Sequence, residues 1–219
     1  MDETPAIDPT APAALLLPAG PFSVIYADPP WAWSKAPLKN RGRARTVEKE
    51  YSTLQLDDIT ALPVNSVAAT DSVLFLWATG PKLPLALTVM AAWGFSYKTI
   101  GFTWVKENRK SPGLFMGMGF FTRANSELCL VGARGSLKRQ NAGVRQVITA
   151  PVSEHSRKPT EARDRITRLY GDVPRLEMFA RERVPGWTSW GDQVPDGADA
   201  GEDQPDLWQT DTDRGAHRE

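Results

Sequence analysis

Phe22-Ser23-Val24-Ile25-Tyr26-Ala27-Asp28-Pro29-Pro30-Trp31 is an apolar run of strand length that stops abruptly at an acid and two prolines. A run with no polar alternation reads as a strand buried on both faces, as in a parallel sheet. Consecutive prolines remove two backbone donors and force an extended, rigid turn, so the strand ends there. The turn's carbonyl groups are then expected to be free acceptors. A carboxylate before them and an indole after them would make a clamp for a planar amine. A Pro-Pro pair after a strand, taken alone, is usually only a rigid turn.

Outward from this run, strand-like and helix-like stretches alternate. Ser72 to Ala78 is a second apolar strand, followed by a helical pattern that starts at Pro81, runs through Leu85, Val89 and Trp93, and closes at Gly94. Tyr97 to Val105 and Glu127 to Val131 predict further strands. Thr160 to Leu169 predicts a helix with Ala162, Ile166 and Leu169 on one face and Gly171 beyond its end. Arg175 to Phe179 predicts a late strand, and Trp187 to Trp190 a short final one. The alternation implies an α/β three-layer sandwich with a mostly parallel sheet. Two long stretches break the rhythm: Ser34 to Glu50, with six Lys or Arg, and Asn108 to Phe121, rich in Gly, Met and Phe. Both leave strand ends, where an open α/β sheet binds its ligands.

The 219 residues fit one domain with tails: a flexible lead-in over 1–20, a domain over 21–194 and an acidic disordered tail over 195–219. One cysteine, Cys129, and two histidines, His155 and His217, exclude a disulfide framework and argue against a metal site. The early apolar run Ala13 to Leu17 is too short to span a membrane and lacks a basic flank, so a cytoplasmic protein is expected. Net charge is zero, but it is unevenly spread. Three acids and no base lie in residues 1–20, and nine acids and two arginines in 192–219, leaving 14 acids against 24 bases in between. That basic body suits a phosphate-rich partner, a solubilising surface being the plainer alternative. Arg41, Arg43 and Arg45, directly after the proline turn, are the candidate backbone contacts. Trp77, Trp104 and Cys129 read as core residues. His155 beside Ser153 and Ser156 does not make a triad, because adjacent loop residues lack that geometry.

Asp28-Pro29-Pro30-Trp31 after a hydrophobic strand resembles the Asp/Asn/Ser-Pro-Pro-aromatic motif of amino-methyltransferases acting on nucleic acids. Its form here is similar to that of the family of the eukaryotic mRNA adenosine methyltransferase catalytic subunit, with its bacterial and phage relatives. Matching pieces follow in family order from Phe22 to Gln193: Tyr51-Ser52-Thr53-Leu54, Leu76-Trp77-Ala78-Thr79-Gly80, Trp104-Val105-Lys106, Glu127-Leu128-Cys129-Leu130-Val131-Gly132, His155-Ser156-Arg157-Lys158-Pro159, Glu177-Met178-Phe179-Ala180-Arg181 and Pro185-Gly186-Trp187 through Gln193.

The resemblance implies a Rossmann-like fold and methyl transfer from S-adenosylmethionine to the N6 amine of adenine in a nucleic acid, DNA being favoured over RNA. Asp28, Pro29, Pro30 and Trp31 would form the catalytic turn, with Asp28 also touching the methionine end of the cofactor. Lys158 would reach the cofactor carboxylate, although a solvated lysine before a helix is the plainer reading. Glu177 and Arg181 would lie at the cofactor strand, Asp192 and Gln193 would hold ribose and adenine, and Tyr51 would gate the pocket. The His and Asn usual after the Arg181 position are replaced here by Glu182-Arg183-Val184, so the implied ribose contacts there rest on the weakest match. The catalytic motif precedes the cofactor strand, which makes the order permuted and accounts for the missing early Gly-x-Gly loop. Alternatives are an RNA methyltransferase, a non-catalytic nucleic-acid-binding partner subunit, and a cytosine amino-methyltransferase, the last disfavoured by Asp rather than Ser at position 28. A homodimer is compatible with the chain.

Overall fold

A computed structural model describes residues 17–31, 54–119, 121–153 and 157–194. Its strands are β1 (Phe22–Ala27), β2 (Ala68–Ala78), β3 (Ser96–Glu107), β4 (Ser126–Arg134), β5 (Val147–Pro151), β6 (Arg175–Met178) and β7 (Thr188–Trp190). Its helices are α1 (Leu56–Ala61), α2 (Val64–Val67), α3 (Leu83–Ala92) and α4 (Thr160–Tyr170). The strands form one seven-stranded sheet in the order β5-β3-β4-β2-β1-β6-β7. β1 pairs in parallel with both β2 and β6, and β6 with β7, while β4 runs antiparallel between β2 and β3. The sheet is therefore mostly parallel, an α/β architecture compatible with a Rossmann-like methyltransferase.

β1 lies inside the sheet because both of its faces are apolar. Ile25 and Ala27 enter one core with α1, α3 and Trp93. Val24 and Tyr26 enter a second core with Phe75, Trp77, Trp104 and the α4 residues Ala162 and Ile166. Val24 and Ile25, both fully buried, contribute roughly 1.5–3 kcal/mol each. The two cores place helices on both sides of the sheet, giving three layers. α1 and α2 join β1 to β2 on one face, and α4 leads into β6 on the other. The winding thus changes face at β1, which opens a crevice at its carboxyl end.

The expected elements are present, with longer bounds for β2, β3 and β4. Gly94 closes the third helix at φ +83°, allowing Phe95 N–H to turn back to Met90 O at 3.0 Å. Three elements were not expected: α1, α2 and β5. The strict alternation also fails between β3 and β5, where β3 and β4 form a hairpin with no helix between them. Phe179 leaves the late strand at φ +59°, turning the chain at the crevice with its ring 5.6 Å from that of Trp190.

Candidate active site

Asp28 follows the last residue of β1, so register places it at the carboxyl edge of the sheet. Ala27 pairs with Leu76 of β2 on one side and with Met178 of β6 on the other. Met178 in turn pairs with Trp190. Asp28, Phe179 and Gly191 therefore leave the same edge side by side, and Glu177, Arg181, Asp192 and Gln193 lie within two residues of that line.

Lys158 reaches this edge from the turn before α4, and its Nζ lies 2.8 Å from Asp28 Oδ2 and 3.2 Å from Glu127 Oε2. Glu127 also pairs closely with Lys106. Two lysines and two acids thus alternate as Lys106–Glu127–Lys158–Asp28, a charge-neutral chain at the mouth of the crevice. Indole faces support both cations, Trp104 with its centroid 4.8 Å from Lys106 Nζ and Trp77 with its centroid 5.8 Å from Lys158 Nζ. Charges this buried are tolerated because each has an opposite neighbour within bonding distance.

Burial raises the Asp28 carboxyl above its ordinary value, Lys158 pulling it back only in part. Burial also opposes the charge on Lys158, but Asp28 and Glu127 together hold its pKa above the ordinary lysine value. For Glu127, the combined pull of the two lysines outweighs burial and lowers the carboxyl. Glu177 is raised by burial despite Arg163, which donates to it at 3.0 Å. Arg163 also bonds Glu182 at 2.6 Å, tying α4 to the turn after β6. The positive charge of Arg181 acts on both Asp28 and Asp192, linking the proline turn with the last loop.

The proline turn differs from expectation in one respect. Its carbonyls are not all free: Pro29 O accepts from Trp31 N–H at 2.8 Å, and Pro30 O from Leu54 N–H at 3.1 Å. The tight turn brings the first amide after the prolines back onto Pro29, and among the described residues the second lone pair of that carbonyl takes no other donor. Trp31 donates its indole N–H to Trp77 O at 3.2 Å, which fixes the ring beside Asp28. Trp77 in turn donates to the Tyr26 hydroxyl at 2.7 Å, so the wall of the site is anchored in the core.

The structure therefore brings together Asp28, Pro29, Pro30, Trp31 and Lys158, and sets Glu177, Arg181, Asp192 and Gln193 along the same edge. Tyr51, Arg41, Arg43, Arg45 and His155 lie outside the described residues. Lys106 and Glu127 were quoted in the sequence without a role. Their signal is the β3–β4 hairpin: Glu127 pairs with Trp104, which puts Lys106 two residues along the facing strand. One polar atom at the edge also stands out. Thr79 Oγ1, one residue past β2, is buried and has no hydrogen-bond partner among the described residues.

Residues 22–193 match the MT-A70 family profile. The chain belongs to the MT-A70 family. It is 34% identical over 195 residues to the Type II methyltransferase M.MunI of Mycoplasma sp, covering 82% of this chain and 81% of that protein. It is 32% identical over 179 residues to the human N(6)-adenosine-methyltransferase catalytic subunit METTL3, covering 80% of this chain but 28% of that one. The Arabidopsis thaliana N(6)-adenosine-methyltransferase MT-A70-like protein is 33% identical over 178 residues, 24% of its length. The chain thus spans about a quarter of these eukaryotic relatives. As an MT-A70 protein it is a methyltransferase, with S-adenosylmethionine as methyl donor. Among the described residues no helix is long and apolar enough to cross a membrane.

Proposed function

We propose that the chain methylates the N6 amine of adenine in DNA at the Asp28-Pro29-Pro30-Trp31 turn. The observation that carries this reading is the Asp28 carboxylate at the edge of the central strand, held at 2.8 Å by Lys158. DNA is favoured because the Mycoplasma relative, a Type II methyltransferase by name, matches over most of both chains, whereas the adenosine-specific eukaryotic proteins share only this portion of their length.

The donor set suits the cofactor. The Lys158 ammonium would hold its carboxylate and Asp28 its amino group, while Asp192 and Gln193 would take the ribose and adenine. The unpartnered Thr79 hydroxyl supports a polar ligand at this edge, since a buried hydroxyl costs free energy unless something bonds it. S-adenosylmethionine supplies an electrophilic methyl on a sulfonium. The chain's own task is to make a poor nucleophile usable, because the lone pair of adenine's amine is delocalised into the ring. Asp28 and the open lone pair of Pro29 O would accept its two N–H groups and favour a pyramidal nitrogen. Trp31, fixed by its bond to Trp77 O, would stack on the base. Asp28 is then the acceptor for the proton that the nitrogen sheds after transfer. Positioning and electrostatics would supply most of the rate. With the catalytic turn on β1 and the cofactor contacts after β6, the motif order is permuted.

Labelled-methyl transfer to matched DNA and RNA oligonucleotides tests the reading. The native chain should label DNA, and Asp28→Ala should lose about 100- to 1000-fold in rate with its thermal midpoint retained. Labelling of RNA alone would overturn the DNA assignment, and an active Asp28→Ala would overturn the mechanism.

A further inference from the structure

Resting on the reading of the substrate as DNA, we infer that the β3–β4 loop is an apolar wedge that enters duplex DNA and holds open the space left when adenine turns into the site. The loop exposes large apolar side chains that the core could have taken: Met116 is 74% exposed, Met118 91% and Phe121 103%. Isolated exposed apolar residues are ordinary, but these three together with exposed Leu114 on one loop beside an active site are not.

The loop is built rather than frayed. Phe115 N–H donates to Lys106 O at 2.8 Å, and Asn108 is bonded to both Gly113 O and Leu114 O. Gly117 N–H donates to Ala124 O at 3.1 Å. A Cβ on Gly117 would sit 2.1 Å from Ala124 O, and one on Gly119 2.0 Å from Thr122 O, so only glycine lets the two limbs close this far. The backbone is thus committed inward while Met116, Met118 and Phe121 point to solvent. Lys106, to which the loop is fastened, belongs to the ion chain that ends on Asp28, which puts the wedge beside the pocket.

Charge selects the occupant. Residues 108–125 contain Arg109, Lys110 and Arg123 and no acid. A second copy docking through the same patch would set these cations against their own images, because a two-fold interface pairs a surface with itself. Phosphates on either side of a base step carry charge complementary to these cations, and the apolar tips fit between unstacked bases. Side chains of this kind open base steps in other proteins, and a base must leave the duplex before its exocyclic amine can react.

The test compares duplex genomic DNA with the same DNA heat-denatured, using labelled S-adenosylmethionine and the full chain. The triple variant Met116→Ser, Met118→Ser, Phe121→Ser should lose about tenfold or more in kcat/KM on the duplex and less than about twofold on single strands. Activity retained on single strands shows that the variant folds. The triple leucine variant at the same positions should keep its duplex activity. Equal losses on both substrates, no loss on either, or a leucine variant as impaired as the serine one would overturn the wedge. So would a native dimer in sedimentation that the serine variant converts to monomer, which would make the loop a self-association surface. If the native chain labels neither form of DNA, the DNA reading itself fails and the wedge with it.

Discussion

Asp28 is held between two influences that the pH dependence can separate. Burial raises its carboxyl above the ordinary value of 3.8, Lys158 lowers it and Glu127 raises it. In the proposed mechanism the amine-accepting form is the carboxylate, so kcat/KM should fall as pH drops through a limb lying above 3.8. Lys158→Gln removes the lowering charge and should move that limb to higher pH. Glu127→Gln removes a raising charge and should move it to lower pH. A full pH profile of each variant checks this, and movement in the same direction would sink the assignment. The proposed mechanism also makes Glu127 a positioning residue, because it holds Lys158 at 3.2 Å while Lys158 bonds Asp28. Its glutamine variant should raise the KM for S-adenosylmethionine more than it lowers kcat. The residue types were legible at Asp28 and Lys158. The roles of Lys106 and Glu127 were not, since an acid opening one strand and a lysine closing another carry no message until the hairpin register joins them.

Among the elements, α1 and α3 depend on a single indole. Trp93 is fully buried just past α3 and donates to Ile59 O in α1 at 2.9 Å. Trp93→Phe keeps a large ring but leaves Ile59 O only the longer bond from Leu62 N–H at 3.4 Å, and should cost about 0.5–1.5 kcal/mol in chemical denaturation. Methyl transfer at 25 °C should be nearly unchanged, because the pair packs behind the sheet rather than at its edge. Elements with a strong period and a stop signal, such as β1 before its prolines and α3 before Gly94, were readable locally. α1 and α2 were not, because six and four residues are too few to display a helical period. The sequence hides β5 for a related reason: its exposed face carries Val147 and Pro151, so buried and exposed positions do not alternate in residue type, and Trp104 N–H to Ala150 O at 2.9 Å is a long-range tie.

For the whole molecule, zero net charge conceals a basic middle and acidic ends. Residues 195–219 carry eight acids and two arginines. Deleting them should tighten binding to a duplex at low salt, by about tenfold, with the difference vanishing near 1 M salt, where the screening length is about 3 Å. Fluorescence anisotropy across a salt series would measure it, and an unchanged affinity at low salt would show that the acidic segment does not oppose the DNA.

The sequence by itself determined the buried central strand, its abrupt end at Asp28, the α/β class and the family, because apolar period, proline geometry and ordered motifs are local properties. Only the tertiary structure decided that Lys158 would pair with Asp28, 130 residues away. It also decided that Glu127 and Lys106 would complete the ion chain, and that the methionines of the β3–β4 loop would face solvent. Those outcomes depend on sheet order and strand register, which the packing of the entire core sets and no short segment encodes.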